Sequence, residues 1–158
     1  MDRNLYAPPG ATVADPAEVA ADRPNEVTWA MYGIWASVAI GVAETLLPAA
    51  IPLLNLPVFG MVGFLVMLAL GVGVRIVIAA WVNSRIGLGR NWARILAATL
   101  FVLSTIYLGT HWRTYIALFH GETALAYSIL SAVKVCINTA VVILLFTPRA
   151  NRWFKAIA

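Results

Sequence analysis

The chain has 158 residues, of which 61% are hydrophobic and only 11% are charged. A soluble domain is about 45–50% apolar and about 25% charged, so this composition argues against a water-exposed fold. The net charge of +4 does not indicate nucleic-acid binding, because the basic residues flank apolar runs and form no separate patch. We therefore expect a lipid bilayer as the surroundings and no nucleic-acid partner.

Residues 1–26 differ from the rest of the chain. They carry five acidic and two basic side chains, and four prolines interrupt any regular element. The sequence predicts a disordered cytoplasmic tail here. It does not resemble a secretory signal peptide, because the first apolar run begins only after Glu26.

Four apolar runs predict transmembrane helices at about residues 27–47, 58–81, 91–110 and 123–146. Each has roughly the 20 residues that cross a hydrocarbon core of about 30 Å. In lipid the backbone must satisfy its own hydrogen bonds, so the runs must be helices. The prolines of the link at 48–57 are expected to end the first helix. Short links favour an all-α, up-down-up-down bundle.

The distribution of lysine and arginine gives the orientation. Eight of these residues lie in the N-terminal tail, around the second link and in the C-terminal tail, whereas only Arg113 lies on the other side. This bias predicts that both termini are cytoplasmic. Residues 147–158 form a basic and aromatic tail, for which an ordinary membrane anchor is favoured over a short interfacial helix. Five tryptophans lie near the predicted helix ends: Trp29, Trp81, Trp92, Trp112 and Trp153.

Helix four carries a polar stripe centred on Lys134, which lies about 16 Å deep. At 100° per residue, Tyr127, Ser131 and Asn138 share the face of Lys134. Such a stripe is expected to face the bundle interior, an oligomer seam or a water-filled cavity. A paired or snorkelling structural cation is the alternative role for Lys134.

Helix one carries a seam of small residues, Gly33, Ser37 and Gly41, that ends at Glu44. This spacing lets another helix approach closely, which places Glu44 in a packed seam. Glu44 is the natural counter-charge for Lys134, although the two are expected to differ in depth by about 11 Å.

Several other polar residues have weaker signals. His111 and Arg113 are competing partners for Glu44, and Arg75 is expected to snorkel to the cytoplasmic headgroups. His111, His120 and Glu122 have too loose a spacing to predict a metal site. Cys136 is expected to be a buried structural thiol. No catalytic residue and no cofactor are predicted, because no nucleotide-binding, nucleophile or metalloprotease motif is present.

Three segments carry a family resemblance: NLYAPP at 4–9, GRNWAR at 89–94 and FTPRANRWF at 146–154. They resemble a broad group of small four-helix inner-membrane proteins of Gram-negative bacteria, although Leu5 stands where that group usually has proline. The resemblance implies a bacterial inner membrane and carries no activity with it.

Three functions therefore stay open. The first, which the sequence favours, is a non-catalytic role in partner association, with another copy or another membrane protein, through the Gly33, Ser37 and Gly41 seam or the tail. The second is a small oligomeric transporter or channel lined by the Lys134 stripe, with Glu44 coupling or gating. The third is a membrane-embedded enzyme that uses Lys134, Glu44 or His111. Aqueous labelling of cysteines in the stripe would separate the first two.

Overall fold

The computed structural model describes residues 22–53, 58–118 and 122–157, and these residues form helices and no strand. Four helices are long and apolar enough to cross a membrane, and many large apolar side chains face outward. The predicted all-α, four-helix membrane bundle is thus confirmed. The predicted disordered tail falls largely on residues 1–21, outside the described part. The helices are α1 (Asn25–Leu53), α2 (Val58–Gly87), α3 (Asn91–Leu118), α4 (Glu122–Leu145) and α5 (Pro148–Ile157).

The first helix is longer than the sequence predicts. α1 continues through Pro48 to Leu53, so the expectation that the prolines end it near Leu47 is wrong. Proline removes one backbone donor, but leaving helical structure inside lipid would expose many more unpaired groups. α2 and α3 also extend beyond Trp81 and Thr110, their predicted last residues.

The spans are arranged as a ring in chain order. α1 packs most extensively on α4 and also contacts α2, whereas α3 packs more sparsely against α2 and α4. Short links make successive spans antiparallel, and the α1–α4 contact closes the ring.

One end of the bundle gathers most of the basic side chains, and we call it the basic end. The Arg23 guanidinium donates to the carbonyl of Gly87 at 3.0 Å, which places the start of α1 beside the end of α2. Glu26 and Arg149 approach to 3.5 Å at the same end. Gly89, with φ of 73°, ends α2 in the left-handed conformation that glycine adopts most easily. The start of α1, the second link and α5 thus share one end.

The apolar core lies towards the basic end and not at mid-height. It consists of residues from the start of α1 and α3, the end of α2 and α4, and α5. Its most buried larger side chains are Val27, Ile86, Val141, Leu145 and Phe154. The bundle is therefore tightly closed at the basic end.

The C-terminal residues form a helix that packs on the bundle, which the favoured anchor interpretation did not include, while the anchor role itself stays a prediction. Thr147 caps α5, because its hydroxyl accepts from the Ala150 N–H at 3.3 Å, and Pro148 occupies the first helical position. Ala150, Trp153 and Phe154 are buried. Helical spacing places these apolar residues on one face, which lets α5 close the ends of α1 and α4.

The close α1–α4 contact makes Gly33 intolerant of a side chain. A methyl group at Gly33 would overlap the side chain of Val141, which is buried and β-branched, whereas one at Gly71 would meet nothing within 4 Å. We expect Gly33→Ala to lower the free energy of unfolding by about 1–3 kcal/mol. The matched Gly71→Ala change should be neutral or stabilise by up to about 1 kcal/mol. Unfolding in mixed detergent micelles measures both, and equal effects would contradict this packing.

Candidate functional site

A buried ion pair joins the first and last spans. The Lys134 ammonium forms a salt bridge with Oε2 of Glu44, and the Ser131 hydroxyl donates to Oε1 at 2.7 Å. Only 7% of the Glu44 side chain and 15% of the Lys134 side chain is exposed. Both carboxylate oxygens thus take partners from α4. The competing candidate His111 instead contacts the carbonyl of Tyr107 at 3.0 Å.

The longer α1 explains why this pair can form. With α1 continuing to Leu53, Glu44 lies about 14 Å from the helix end and not about 5 Å. Lys134 lies about 18 Å from the start of α4 at Glu122. The expected depth difference of about 11 Å therefore shrinks to about 4–5 Å, which a lysine side chain can span.

A second polar contact lies nearer the basic end. The Ser37 hydroxyl donates to Oδ1 of Asn138 at 2.6 Å, and both side chains are buried. Gly33 packs against Ile137 and Val141, so the small-residue seam serves the α1–α4 interface within this chain. The seam is therefore not a free surface for a partner.

Tyr127 is buried on the same stripe of α4 as Ser131 and Asn138. The stripe thus faces inward. Cys136 lies on the opposite side of α4 and is exposed, so the expectation of a buried thiol is wrong. Helical spacing explains this, because two residues beyond Lys134 is about 200° around the helix.

Arg75 is exposed, but its guanidinium reaches across to α1 and not towards the headgroups of the basic end. Its Nη1 donates to the carbonyl of Gly41 at 2.9 Å and to the hydroxyl of Thr45 at 2.7 Å. Arg75 lies about 18 Å from the end of α2 at Gly87, and both acceptors lie farther still from the basic end. The snorkelling expectation for Arg75 is therefore wrong.

A cavity of about 300 Å³ lies between the four spans and is partly open to the surroundings. Its floor towards the basic end is apolar, formed in part by the core residues Ile34, Ala79, Val82 and Ala97. All four spans contribute to its wall. The polar side chains on this wall are Ser37, Arg75, Ser104, Lys134 and Asn138.

The loosely spaced His111, His120 and Glu122 lie only partly within the described residues. In the described ranges, no group of three histidine, cysteine or acidic side chains could hold a metal ion. His120 lies outside the described residues, and the side chain of Glu122 is not described. His111 stacks on the ring of Tyr107 at a centroid distance of 4.2 Å.

A second buried cation escaped the sequence prediction. Arg94, counted there only as a charge flanking helix three, is 8% exposed. Its Nε donates to Oδ1 of Asn91 at 2.5 Å, and its Nη1 donates to Oδ1 of Asn151. Its guanidinium carbon lies 4.9 Å from the ring centre of Phe146 and 4.8 Å from that of Phe154.

Arg94 therefore connects two of the segments that carry the family resemblance, 89–94 and 146–154. Its planar guanidinium can donate hydrogen bonds from its edge while its faces stack on aromatic rings. Lysine cannot make both kinds of contact at once. This contact holds α5 against the start of α3. The only signal in the sequence is that both segments carry the family resemblance. That does not by itself show that they touch.

No family model matches the chain, and neither a curated protein nor a solved structure does. The fold and the site define a multi-pass membrane protein with a mostly apolar cavity that two basic side chains, Arg75 and Lys134, border inside a four-helix bundle.

The Glu44–Lys134 pair should be important for stability. We expect Glu44→Gln to lower the free energy of unfolding by about 3–5 kcal/mol, because it leaves the Lys134 charge buried without its partner. Adding Lys134→Met should restore most of that loss, since the charge is then removed. Titrations of unfolding in mixed micelles would measure each variant.

The exposed Glu26–Arg149 pair supplies the control for that experiment. Arg149 is 74% exposed, and Glu26→Gln should change stability by less than about 1 kcal/mol. If Glu44→Gln were as mild as Glu26→Gln, the buried pair would not stabilise the bundle.

The Arg94 contact also gives a specific expectation. Arg94→Ala should lower stability by about 2–4 kcal/mol, through lost charge-assisted hydrogen bonds and cation–π contacts. Arg94→Lys should recover little, because an ammonium cannot make both kinds of contact at once. Arg90→Ala, at an exposed position in the same turn, should stay within about 0.5 kcal/mol. Rescue by lysine would show that charge alone matters here.

Proposed function

We propose that this protein is a small transporter or channel of a bacterial inner membrane, which admits a small solute to its central cavity. The cavity between the four spans, with Arg75, Lys134 and Asn138 on its wall, is the observation that carries this proposal. The resemblance of the three short segments supports the bacterial inner membrane. The bias of lysine and arginine towards the basic end supports a cytoplasmic position for that end.

The polar side chains on the cavity wall favour a solute path over a purely structural bundle. Ionisable side chains at membrane depth are costly and usually face a partner, a cavity or a substrate path. Glu44 and Lys134 satisfy each other, but Arg75 donates only to uncharged oxygens of α1 within the described structure. Arg75 is exposed and borders the cavity, so water or solute in the cavity would give this guanidinium the solvation that lipid cannot provide.

Partner association has less support, because its main argument was the small-residue seam. Gly33 and Ser37 are in contact with α4 of the same chain, and the Gly41 carbonyl accepts from Arg75. The seam is therefore already used. An assembly of several copies remains compatible with a solute path, since many apolar side chains of α2 and α3 face outward.

The shape of the bundle also suggests how a path would be controlled. The apolar core and α5 close the basic end below the cavity floor. A solute would therefore enter from the opposite end and would leave through the basic end only after the core had opened. The Glu44–Lys134 pair lies beside the cavity and holds α1 to α4, so its rupture would loosen the wall of the path.

Cysteine accessibility tests the proposal. Ser104 lies on the cavity wall, and the neighbouring Leu103 is 56% exposed on the outside of α3 at nearly the same depth. In a Cys136→Ala background, a water-soluble maleimide should label Ser104→Cys in membranes but not Leu103→Cys. These positions are better probes than Ser131 and Asn138, whose side chains hold α1 to α4.

The native protein supplies a further control, because its only cysteine, Cys136, is exposed on the outer side of α4. It should resist the same reagent in membranes and react after detergent extraction. If Ser104→Cys were as unreactive as Leu103→Cys, the cavity would be dry and the transport proposal would fail.

A further inference from the structure

We propose that the central cavity binds a small monovalent organic anion. Arg75 and Lys134 would hold its carboxylate, and the apolar wall would hold its body. This inference rests on the proposed function, because it names the class of solute that the same cavity takes. Charge, hydrogen-bonding capacity and size each support it.

The charges around the cavity do not cancel. The middle of the four spans has one acidic side chain, Glu44, and two basic ones, Arg75 and Lys134. Both oxygens of Glu44 already accept from α4. Arg75 donates to the Gly41 carbonyl and the Thr45 hydroxyl, and the described part of the chain offers it no carboxylate. One bound anion would neutralise the excess positive charge, which is costly at this depth.

The cavity wall also has more hydrogen-bond donors than acceptors. Arg75 has five N–H groups, of which those on Nη1 are bonded among the described residues, and Lys134 has three, of which one faces Glu44. The carbonyl oxygen of Asn138 accepts from Ser37, which leaves its NH₂ group as a donor on the wall. A carboxylate carries acceptors only and matches such a surface, whereas a cation would find no carboxylate among the described lining residues.

The rest of the wall indicates what kind of ligand body would fit the cavity. Most of the lining is apolar, including Ile34, Val38, Ile78, Leu100 and Phe101. The volume of about 300 Å³ is at the lower end of the range for small-molecule sites. The fitting ligand is therefore compact, with one charged head and an apolar body. A divalent anion such as phosphate would overcompensate the single excess charge and leave the apolar wall unoccupied.

Benzoate and benzamide test this ligand class, because they share a ring and differ in charge. The protein would be placed in nanodiscs of phosphatidylcholine, and binding would be followed by calorimetry and by protection of Ser104→Cys from maleimide. We expect benzoate to bind and to slow labelling, and benzamide to do neither. Arg75→Gln should weaken benzoate binding roughly 10- to 100-fold, through loss of charge-assisted hydrogen bonds. Arg113→Gln, which removes an arginine outside the cavity, should leave it unchanged.

A second arm identifies the source of the carboxylate. Palmitate in the nanodisc bilayer would bring only its carboxylate head into the cavity and leave most of its chain in lipid, whereas benzoate would enter whole from water. Protection of Ser104→Cys by either one and loss of that protection in Arg75→Gln would support the anion site.

Two outcomes would overturn the inference. One is benzamide binding as well as benzoate, a comparison in the native chain that does not depend on folding of the Arg75 variant. The other is a folded Arg75→Gln protein with unchanged benzoate affinity. A reactive Ser104→Cys that neither carboxylate protects would remove the anion site and leave the solute cavity standing. An unreactive Ser104→Cys would instead remove the proposed function itself.

Discussion

The salt bridge between Glu44 and Lys134 is the interaction on which the membrane-embedded part of the structure depends. It joins α1 to α4, the most extensive helix pair, and Ser131 completes the coordination of the carboxylate. Two buried charges are stable in such surroundings only when they satisfy each other. Because the pair fixes the faces of α1 and α4, it also determines that Asn138 and Lys134 border the cavity.

The bundle has its tight packing and its cavity at different heights. Apolar packing is concentrated at the basic end, where α5 and the buried Arg94 hold the helix ends together. The middle of the bundle has polar contacts and open volume instead. A tightly packed end can keep the helices in register, while the sparser contacts of α3 allow the cavity to remain unfilled. The looseness of α3 is therefore compatible with a stable fold.

Much of the fold could be predicted from the sequence, because span length and apolar content depend on local composition. The inward-facing stripe of α4 also followed from helical periodicity alone. The length of α1 did not, because the sequence shows prolines but not the backbone cost of ending a helix inside lipid. The contacts of Arg75 with α1 and of Arg94 with α5 could not be predicted for a related reason: a single sequence does not show which helix faces meet.

The ion pair connects residues 90 positions apart, from the first span to the last. During synthesis, α1 is made long before Lys134 and Ser131 exist, so the Glu44 carboxylate has neither of these partners while α2 and α3 are produced. An unpaired carboxylate is unfavourable in hydrocarbon, so α1 gains its full preference for the bilayer only when α4 arrives. The final span thus supplies the partners of a carboxylate in the first, and a chain that stops before α4 would leave Glu44 without them.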